Sequence, residues 1–192
     1  MKGTFQITMC RIKSKKKGRC LFALTSPLLF MFFFCSLAYP GGPVNNEKRH
    51  RKILKMYSQY KDRSFPSVYD LSPEQVFKIM KRLEVVFLDI RGSEEQAVSM
   101  IKGAITEAQF FDELDSYKNR TVIAYCTISY RSGILVEKLG KKGIHIINLR
   151  GGLLAWVHAG GRLHKNGKEV KKLHVYGRKW DLAPAGYESL MF

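Results

Sequence analysis

The chain has 192 residues, carries a formal net charge of +17, and is 45% hydrophobic and 12% aromatic. This length and composition fit one folded domain with an extension and exclude a chain that is disordered throughout. Its four cysteines are too few for a small disulfide-stapled scaffold, and the sequence has no tandem C-x-x-C and no H-E-x-x-H motif. We therefore expect no metal site and no cofactor.

The positive charge is concentrated around an apolar segment near the N-terminus. Residues 1–20 contain seven Lys or Arg and no acid, and residues 21–39 contain no charge. An uncharged run of this length after a basic cluster is typical of a transmembrane anchor whose N-terminus is cytoplasmic. A cleaved signal peptide explains the same pattern, because Pro27 shortens the apolar run and small residues precede Tyr39. Both hypotheses place the rest of the chain in the periplasm or outside the cell, and an uncleaved anchor makes the membrane a partner.

The next segment, residues 40–63, is polar and basic, and we interpret it as a linker or an exposed helix. Its basic side chains can contact anionic lipid headgroups. The high total charge would otherwise suggest nucleic-acid binding, but that hypothesis does not explain why the charge flanks an apolar run. From residue 64 onward, acidic and basic residues are interspersed, as on an ordinary solvated surface. We therefore expect no nucleic-acid partner.

Strands and helices are predicted to alternate from residue 72 onward. Ser72 forms a capping box with Gln75, and Pro73 suits the first helical position. Residues 85–88 are an apolar run typical of a strand buried on both faces, and Ser93 is expected to cap the next helix. The later segments are predicted as a helix (110–117), a strand (121–125), a helix (133–142), a strand (144–149) and a short helix (152–159). This alternation indicates an α/β fold whose parallel sheet is covered by helices on both faces.

The tail, residues 164–192, departs from this alternation. Asn166-Gly167 is a strong signal for a two-residue hairpin turn between residues 162–164 and 170–176. We expect a C-terminal β-hairpin followed by an arm that packs on the domain. Trp180 is interpreted as a core anchor of this arm rather than as a cover over a site.

One segment combines a cysteine, a polar loop and an arginine. Cys126 follows the predicted strand 121–125, and a helix is expected to begin just after Arg131. Because ligands of parallel α/β sheets bind at the carboxyl ends of the strands, this loop is the candidate site. Its backbone N–H groups and the helix N-terminus can bind an anion and favour a thiolate. A lone cysteine at a strand end is usually a small buried hydrophobe, but here the loop and the arginine support a nucleophile.

Three segments carry a resemblance to a known family: VFLDIRGSEEQAVSMIKGAI (86–105), VIAYCTISYRSG (122–133) and INLRGGLLAWVHAGG (147–161). In this order, they resemble a single rhodanese-like domain, and the resemblance extends from about residue 72 to residue 163. We place the boundaries of the whole domain at residues 64 and 163. The resemblance implies a parallel sheet flanked by helices, and a persulfide on the catalytic cysteine in active members. It matches Cys126 to that cysteine and assigns the substrate-binding loop to Thr127, Ile128, Ser129, Tyr130, Arg131 and Ser132. It also matches Asp89 and Arg91 to the family's Asp-x-Arg motif, which we interpret as structural support.

The spacing of Cys126 and Arg131 distinguishes between two chemistries. Four residues separate them, which matches the sulfurtransferase-type loop, whereas tyrosine-phosphatase-like enzymes have five. Phosphatase and arsenate reductase activities are therefore disfavoured. The sequence departs from the family at Ser129, where relatives often have glycine, and at Met100, where they often have a supporting histidine. If position 129 needs a positive φ, Ser129 carries modest strain.

These features predict a thiosulfate-type sulfurtransferase. Cys126 is expected to take sulfane sulfur from a small anionic donor such as thiosulfate, which Arg131 helps to bind. The resulting persulfide then passes its sulfur to a thiol or to cyanide. Because the other cysteines lie at or before residue 35, the thiol acceptor is expected to be external. The alternative is a non-enzymatic rhodanese-like module that binds or regulates a partner at the membrane.

Overall fold

The computed structural model of the protein describes residues 43–191. Its helices are α1 (Pro43–Ser64), α2 (Pro73–Ile79), α3 (Ser93–Val98), α4 (Glu107–Asp112), α5 (Leu114–Tyr117), α6 (Tyr130–Gly140) and α7 (Gly152–His158), and a 3-10 turn covers Arg178–Trp180. Its strands are β1 (Asp70–Leu71), β2 (Val85–Asp89), β3 (Met100–Ile101), β4 (Ile105–Thr106), β5 (Thr121–Tyr125), β6 (Ile147–Leu149), β7 (Leu163–Lys165), β8 (Lys168–Val170), β9 (Lys172–His174) and β10 (Glu188–Leu190).

A parallel sheet in the order β1-β6-β5-β2-β4 forms the centre of the fold. The central strands β2 and β5 pair over their full length, from Val85 beside Thr121 to Asp89 beside Tyr125. Because parallel strands end at the same edge of a sheet, the residues after Asp89 and Tyr125 lie together there. This topology confirms the predicted α/β fold.

Both faces of the sheet are buried, as the apolar strand sequences predict. On one face, Phe87 and Ile123 pack with residues of α2 and α7. On the other face, Val86 and Val122 pack with residues of α4 and α6. Successive side chains of a strand point to opposite faces, so continuous apolar strands need helices on both sides. The two layers of helices satisfy this requirement.

Helix α1 differs from the expectation for residues 40–63, because one face of this helix is part of the core. Ile53, Met56 and Tyr57 are at most 8% exposed, and α1 contacts both α6 and α7. These positions lie three and four residues apart, which is the spacing of one helical face. The pattern is present in the sequence, but the basic residues on the other faces obscure it. Within the described part of the chain, residues 43–63 therefore belong to a helix packed on the core, and not to a linker or a fully exposed helix.

Asp70 at the start of β1 fixes α1 to the sheet. Its carboxylate accepts hydrogen bonds from Tyr57 Oη at 2.9 Å, Lys61 Nζ at 2.5 Å and Arg150 Nε at 2.7 Å. Burial alone would raise the pKa of Asp70, but these hydrogen bonds outweigh it and lower the pKa below its ordinary value. The ionised carboxylate therefore joins α1, β1 and the end of β6.

Several element boundaries also differ from the predictions. Gly92, not Ser93, precedes the first residue of α3, and Glu95 accepts the Gly92 N–H at 3.0 Å. The predicted helix 110–117 is divided into α4 and α5, because the backbone of Glu113 leaves the helical region. Helix α6 begins earlier and β6 begins later than expected. The predicted capping box at the start of α2 is confirmed.

The tail packs on the domain as predicted. The turn at Asn166-Gly167 is confirmed, because β7 and β8 pair antiparallel and both turn residues have positive φ. Strand β9 pairs in parallel with β10 instead of extending the hairpin. Leu173, Val175 and Leu182 are buried in the cluster that contains α7. The predicted anchor or signal segment, residues 21–39, lies outside the described residues, and no helix within residues 43–191 is long and apolar enough to cross a membrane.

The first prediction concerns the attachment of α1. Replacing Asp70 by alanine removes the shared acceptor of Tyr57, Lys61 and Arg150, so we expect the free energy of unfolding to fall by about 2 kcal/mol. Asp62→Ala is the control, because Asp62 lies on α1 and its side chain is exposed. Urea denaturation of both variants measures the difference, and equal midpoints would contradict the role of Asp70.

Candidate active site

Cys126 lies directly after β5 at the carboxyl edge of the sheet. The residue is 2% exposed and lines a pocket, and α6 begins four residues later at Tyr130. Within residues 43–191, no atom accepts a hydrogen bond from the backbone N–H groups of residues 127–132. These N–H groups and the positive end of α6 favour an anion next to the sulfur.

The N-terminus of α7 holds the carbonyl groups of the same loop. Leu153 N–H donates to the carbonyl of Cys126 at 2.9 Å, and Leu154 N–H donates to that of Thr127 at 3.1 Å. This approach requires glycine at position 152, where φ is +62° and a Cβ would lie 2.4 Å from the carbonyl oxygen of Cys126. The carbonyl groups are thus used inside the fold, and the N–H groups of the loop remain for a ligand.

Ser129 has the positive φ that the family comparison suggested. Its φ is 63° and its ψ is 29°, in the left-handed region that favours glycine. The side chain is fully buried, and its hydroxyl has no hydrogen-bond partner within residues 43–191. The Ser129 carbonyl accepts a hydrogen bond from Asn148 Nδ2 at 3.2 Å, which helps to hold this conformation. Since Asn148 also donates to Tyr57 Oη at 3.1 Å, the loop is connected to α1.

Arg131 binds Glu95, a residue that the sequence analysis did not select. Its two terminal nitrogens donate to the two carboxylate oxygens at 2.7 and 2.8 Å. Glu95 also accepts from Thr127 Oγ1 at 3.3 Å. Burial would raise the pKa of Glu95, but the hydrogen bonds from Arg131 and from Gly92 N–H lower it from 4.5 to about 2. The ionised carboxylate balances the charge of Arg131 and holds its guanidinium across the loop.

Asp89 and Arg91 form a buried ion pair beneath the loop. Arg91 Nε and Nη2 donate to Asp89 at 2.9 and 2.7 Å, and both side chains are completely buried. Tyr125 Oη donates to the same carboxylate at 2.7 Å, and Arg91 Nη2 also donates to the carbonyl of Ser99 at 2.6 Å. Neither charged side chain lines the pocket. The pair joins the end of β2 to the carbonyl of Ser99, and its role as structural support stays a prediction.

The pocket next to Cys126 has a volume of about 310 Å³. It is lined by Tyr60, Cys126, Thr127, Ile128, Tyr130, Arg131, Tyr176 and Trp180. Trp180 packs on the core as expected, but it also lines this pocket, so the two interpretations of this residue are not exclusive. The predicted loop residues that do not line the pocket are Ser129 and Ser132, whose side chains are buried.

The sequence analysis missed three residues that shape this site. Tyr60 lies on the buried face of α1, and its helical spacing from Tyr57 was the available signal. Glu95 is the third residue of the short helix α3, and its sequence context gives no sign of Arg131 as a partner. Nothing in the local sequence places Tyr176 beside the loop, since the tail reaches it only through the tertiary fold.

Comparison with known proteins identifies the domain. Residues 72–159 match the family model of the rhodanese-like domain, and the chain therefore contains a rhodanese-like domain. An uncharacterized protein of Synechocystis sp., slr1261, is 29% identical over 98 residues, which are 47% of this chain and 52% of that protein. The chain thus spans about half the length of this relative.

Solved structures are similar to parts of the chain. The thiosulfate sulfurtransferase from Pseudomonas aeruginosa is 26% identical with a TM-score of 0.47, over 65% of this chain and 24% of that chain. A rhodanese-like domain protein from Staphylococcus aureus is 28% identical with a TM-score of 0.42, over 54% of this chain and 99% of that chain.

The left-handed conformation of Ser129 predicts a stabilising substitution. Ser129→Gly removes the steric cost of a side chain at positive φ and the unpaired buried hydroxyl. We expect the free energy of unfolding to rise by about 1 kcal/mol. Ser129→Ala is the matched control, because it removes the hydroxyl but keeps a Cβ at this φ. Equal stabilities of the two variants in urea would show that the backbone conformation carries no strain.

The pairing of Glu95 predicts how stability depends on pH. The pKa of Glu95 is lowered from 4.5 to about 2 in the folded chain, so its contribution is present above pH 4.5 and is lost as the pH falls towards 2. Glu95→Gln should therefore be less stable than the original chain by about 2 kcal/mol at pH 7, with a smaller difference at low pH. Urea denaturation between pH 7 and pH 2.5 measures this, with exposed Glu94→Gln as control. A difference that does not change with pH would contradict the assignment.

Proposed function

We propose that the protein is a sulfurtransferase that carries sulfane sulfur as a persulfide on Cys126. The observation that supports this most is the set of unpaired backbone N–H groups of residues 127–132 around a cysteine in a pocket. Such a ring of donors stabilises an anion on the cysteine sulfur and on a sulfur bonded to it. The match of residues 72–159 to the rhodanese-like family is consistent with this chemistry.

In the first step, the Cys126 thiolate attacks the outer sulfur of an anionic donor such as thiosulfate. A sulfur–sulfur bond forms to Cys126, the sulfur–sulfur bond of thiosulfate breaks, and sulfite leaves with the electron pair. Charge is conserved, because a thiolate and a thiosulfate dianion become a persulfide anion and a sulfite dianion. The loop N–H groups compensate the charge that moves to the terminal persulfide sulfur.

In the second step, an external thiolate or cyanide attacks the terminal sulfur and regenerates the Cys126 thiolate. Cys126 is the one cysteine within residues 43–191, so an external acceptor fits this site. Arg131 lines the pocket but gives both terminal nitrogens to Glu95. Each terminal nitrogen carries a second N–H, and the guanidinium also interacts with Cys126, so Arg131 positions the loop and adds to the attraction that the loop N–H groups exert on the donor.

The rival proposal is a non-enzymatic binding module at the membrane. The low exposure of Cys126 is the feature that favours it, because a nucleophile must be reached by its substrate. An exported or membrane-anchored location remains a prediction from residues 21–39.

Intact-mass spectrometry of the reduced full chain after incubation with thiosulfate tests the proposed activity. We expect a gain of one sulfur atom that is lost when a thiol is added, and no such gain in Cys126→Ser. The control excludes a reaction at Cys10, Cys20 or Cys35.

The outcomes separate the two proposals. Sulfur gain that persists in Cys126→Ser would refute the role of this cysteine. No gain in a reduced chain with an intact cooperative unfolding transition would favour the binding module.

A further inference from the structure

The pocket beside Cys126 is larger and more aromatic than a small inorganic anion requires. Its volume of about 310 Å³ is at the lower end of the range of roughly 300–1,000 Å³ for sites that bind small organic molecules. Much of its wall consists of the rings of Tyr60, Tyr130, Tyr176 and Trp180. Thiosulfate has no apolar group to place against these rings. The pocket therefore has apolar surface that the proposed first step does not use.

The rings are held in place by their own contacts. The ring centroids of Tyr60 and Tyr130 are 5.1 Å apart, and those of Tyr176 and Trp180 are 5.6 Å apart in an edge-on arrangement. Lys179 Nζ lies 5.7 Å from the centroid of Tyr60 and 5.4 Å from that of Trp180. These distances are typical of aromatic pairs and of a cation beside aromatic rings. These contacts order the rings relative to one another, with Tyr130 40% and Tyr176 59% exposed, and a positive charge lies next to two of them.

Most of this aromatic wall comes from outside the part of the chain that matches the family model. Tyr60 lies on α1, and Tyr176 and Trp180 lie in the tail, whereas the match covers residues 72–159. The helix before the rhodanese-like domain and the arm after it therefore supply a surface that this domain does not provide by itself. Both segments pack on the core that fixes the Cys126 loop.

We propose that this aromatic wall selects an anionic sulfane-sulfur donor that carries an aryl or branched alkyl group. The inference rests on the proposed sulfurtransferase function and specifies its substrate class. The apolar group would pack against the four rings, the transferable sulfur would lie beside Cys126, and the negative charge would meet the loop N–H groups. Burial of apolar surface then adds binding energy that thiosulfate cannot supply.

A thiosulfonate, R–SO₂–S⁻, is the simplest donor of this class. The Cys126 thiolate attacks its outer sulfur, a sulfur–sulfur bond forms, and the bond to the sulfonyl sulfur breaks. The sulfinate R–SO₂⁻ leaves with the electron pair, so two monoanions give two monoanions and no further oxidant or reductant is needed. The sulfinate is also a suitable probe, because it keeps the R group and the charge but has no sulfur to transfer.

Binding is tested without turnover by titrating the Cys126→Ser full chain with benzenesulfinate and with methanesulfinate. The readout is the indole N–H signal of Trp180 in a ¹⁵N correlation spectrum, identified by its loss in Trp180→Phe. Within residues 43–191 this buried N–H has no acceptor, whereas Trp156 Nε1 donates to the Arg162 carbonyl at 3.3 Å. The Trp156 signal is therefore the internal control.

We expect benzenesulfinate to shift the Trp180 signal in a saturable way and to leave the Trp156 signal unchanged. Its dissociation constant should be at least about tenfold lower than that of methanesulfinate, because only the phenyl group reaches the rings. Equal dissociation constants, or no shift of the Trp180 signal, would overturn the proposal.

Kinetics provides a second test, in which the kcat/KM of benzenethiosulfonate is divided by that of methanethiosulfonate. We expect this ratio to be at least about ten in the original chain and to fall at least about threefold in Tyr176→Ala and in Trp180→Ala. Tyr69→Ala is the matched control, since Tyr69 is 65% exposed and lies outside this pocket. A ratio near one, or an equal fall in the Tyr69 variant, would refute the selectivity.

The two proposals fail in different ways. Sulfur gain from thiosulfate without any preference for the aryl compounds would overturn only the substrate class. Selective binding of benzenesulfinate without sulfur gain from any donor would overturn the sulfurtransferase function and leave an aryl-anion binding site. Selective binding with no selectivity in kcat/KM would refute the assignment of the site to the sulfur donor.

Discussion

Two helix N-termini meet at the Cys126 loop, and they have opposite tasks. The first N–H groups of α7 donate to the loop carbonyls, while the N–H groups at the start of α6 have no acceptor within residues 43–191. This division depends on Gly152, since a Cβ there would meet the backbone of the loop. Because its carbonyl groups are satisfied inside the fold, the loop can present its N–H groups to a ligand. The ability of the candidate site to bind an anion depends on this orientation of the loop's carbonyl and N–H groups.

The charged residues near the loop form neutral pairs. Arg131 is paired with Glu95, and Arg91 with Asp89. Burying any of these charges without its partner would be costly, so each pair constrains the backbone segments that carry it. The first pair joins the loop to α3, and the second joins the end of β2 to the carbonyl of Ser99. An anion in the pocket therefore meets oriented backbone dipoles and the guanidinium of Arg131, whose charge is balanced by Glu95.

The residues that give the pocket its aromatic character come from distant parts of the chain. Tyr60 and Trp180 are separated by most of the domain in sequence, and both lie close to Lys179. The segments that carry these two residues are both attached to the core. Helix α1, which carries Tyr60, is attached through Asp70, and the arm, which carries Trp180, is attached through Leu173 and its neighbours. The segments before and after the matched domain therefore take part in its site instead of merely flanking it.

The sequence by itself determined the elements whose signals are local. Apolar runs predicted β2 and β5 because such strands are buried on both faces. The order Cys126, polar loop and helix predicted the candidate site, and Asn166-Gly167 predicted the hairpin, because both signals depend on a few adjacent residues. The spacing of Cys126 and Arg131 similarly favoured one chemistry over another.

Only the tertiary structure decided which distant residues meet. The pairing of Arg131 with Glu95 and the approach of α1 and the arm to Cys126 each join segments far apart in the chain. The buried face of α1 could not be recognised with assurance from its own sequence, because its many basic residues are compatible with full exposure. The physical reason is that local sequence determines backbone preference and periodicity, whereas the pairing of charges and the packing of rings depend on how the elements fit together around the core.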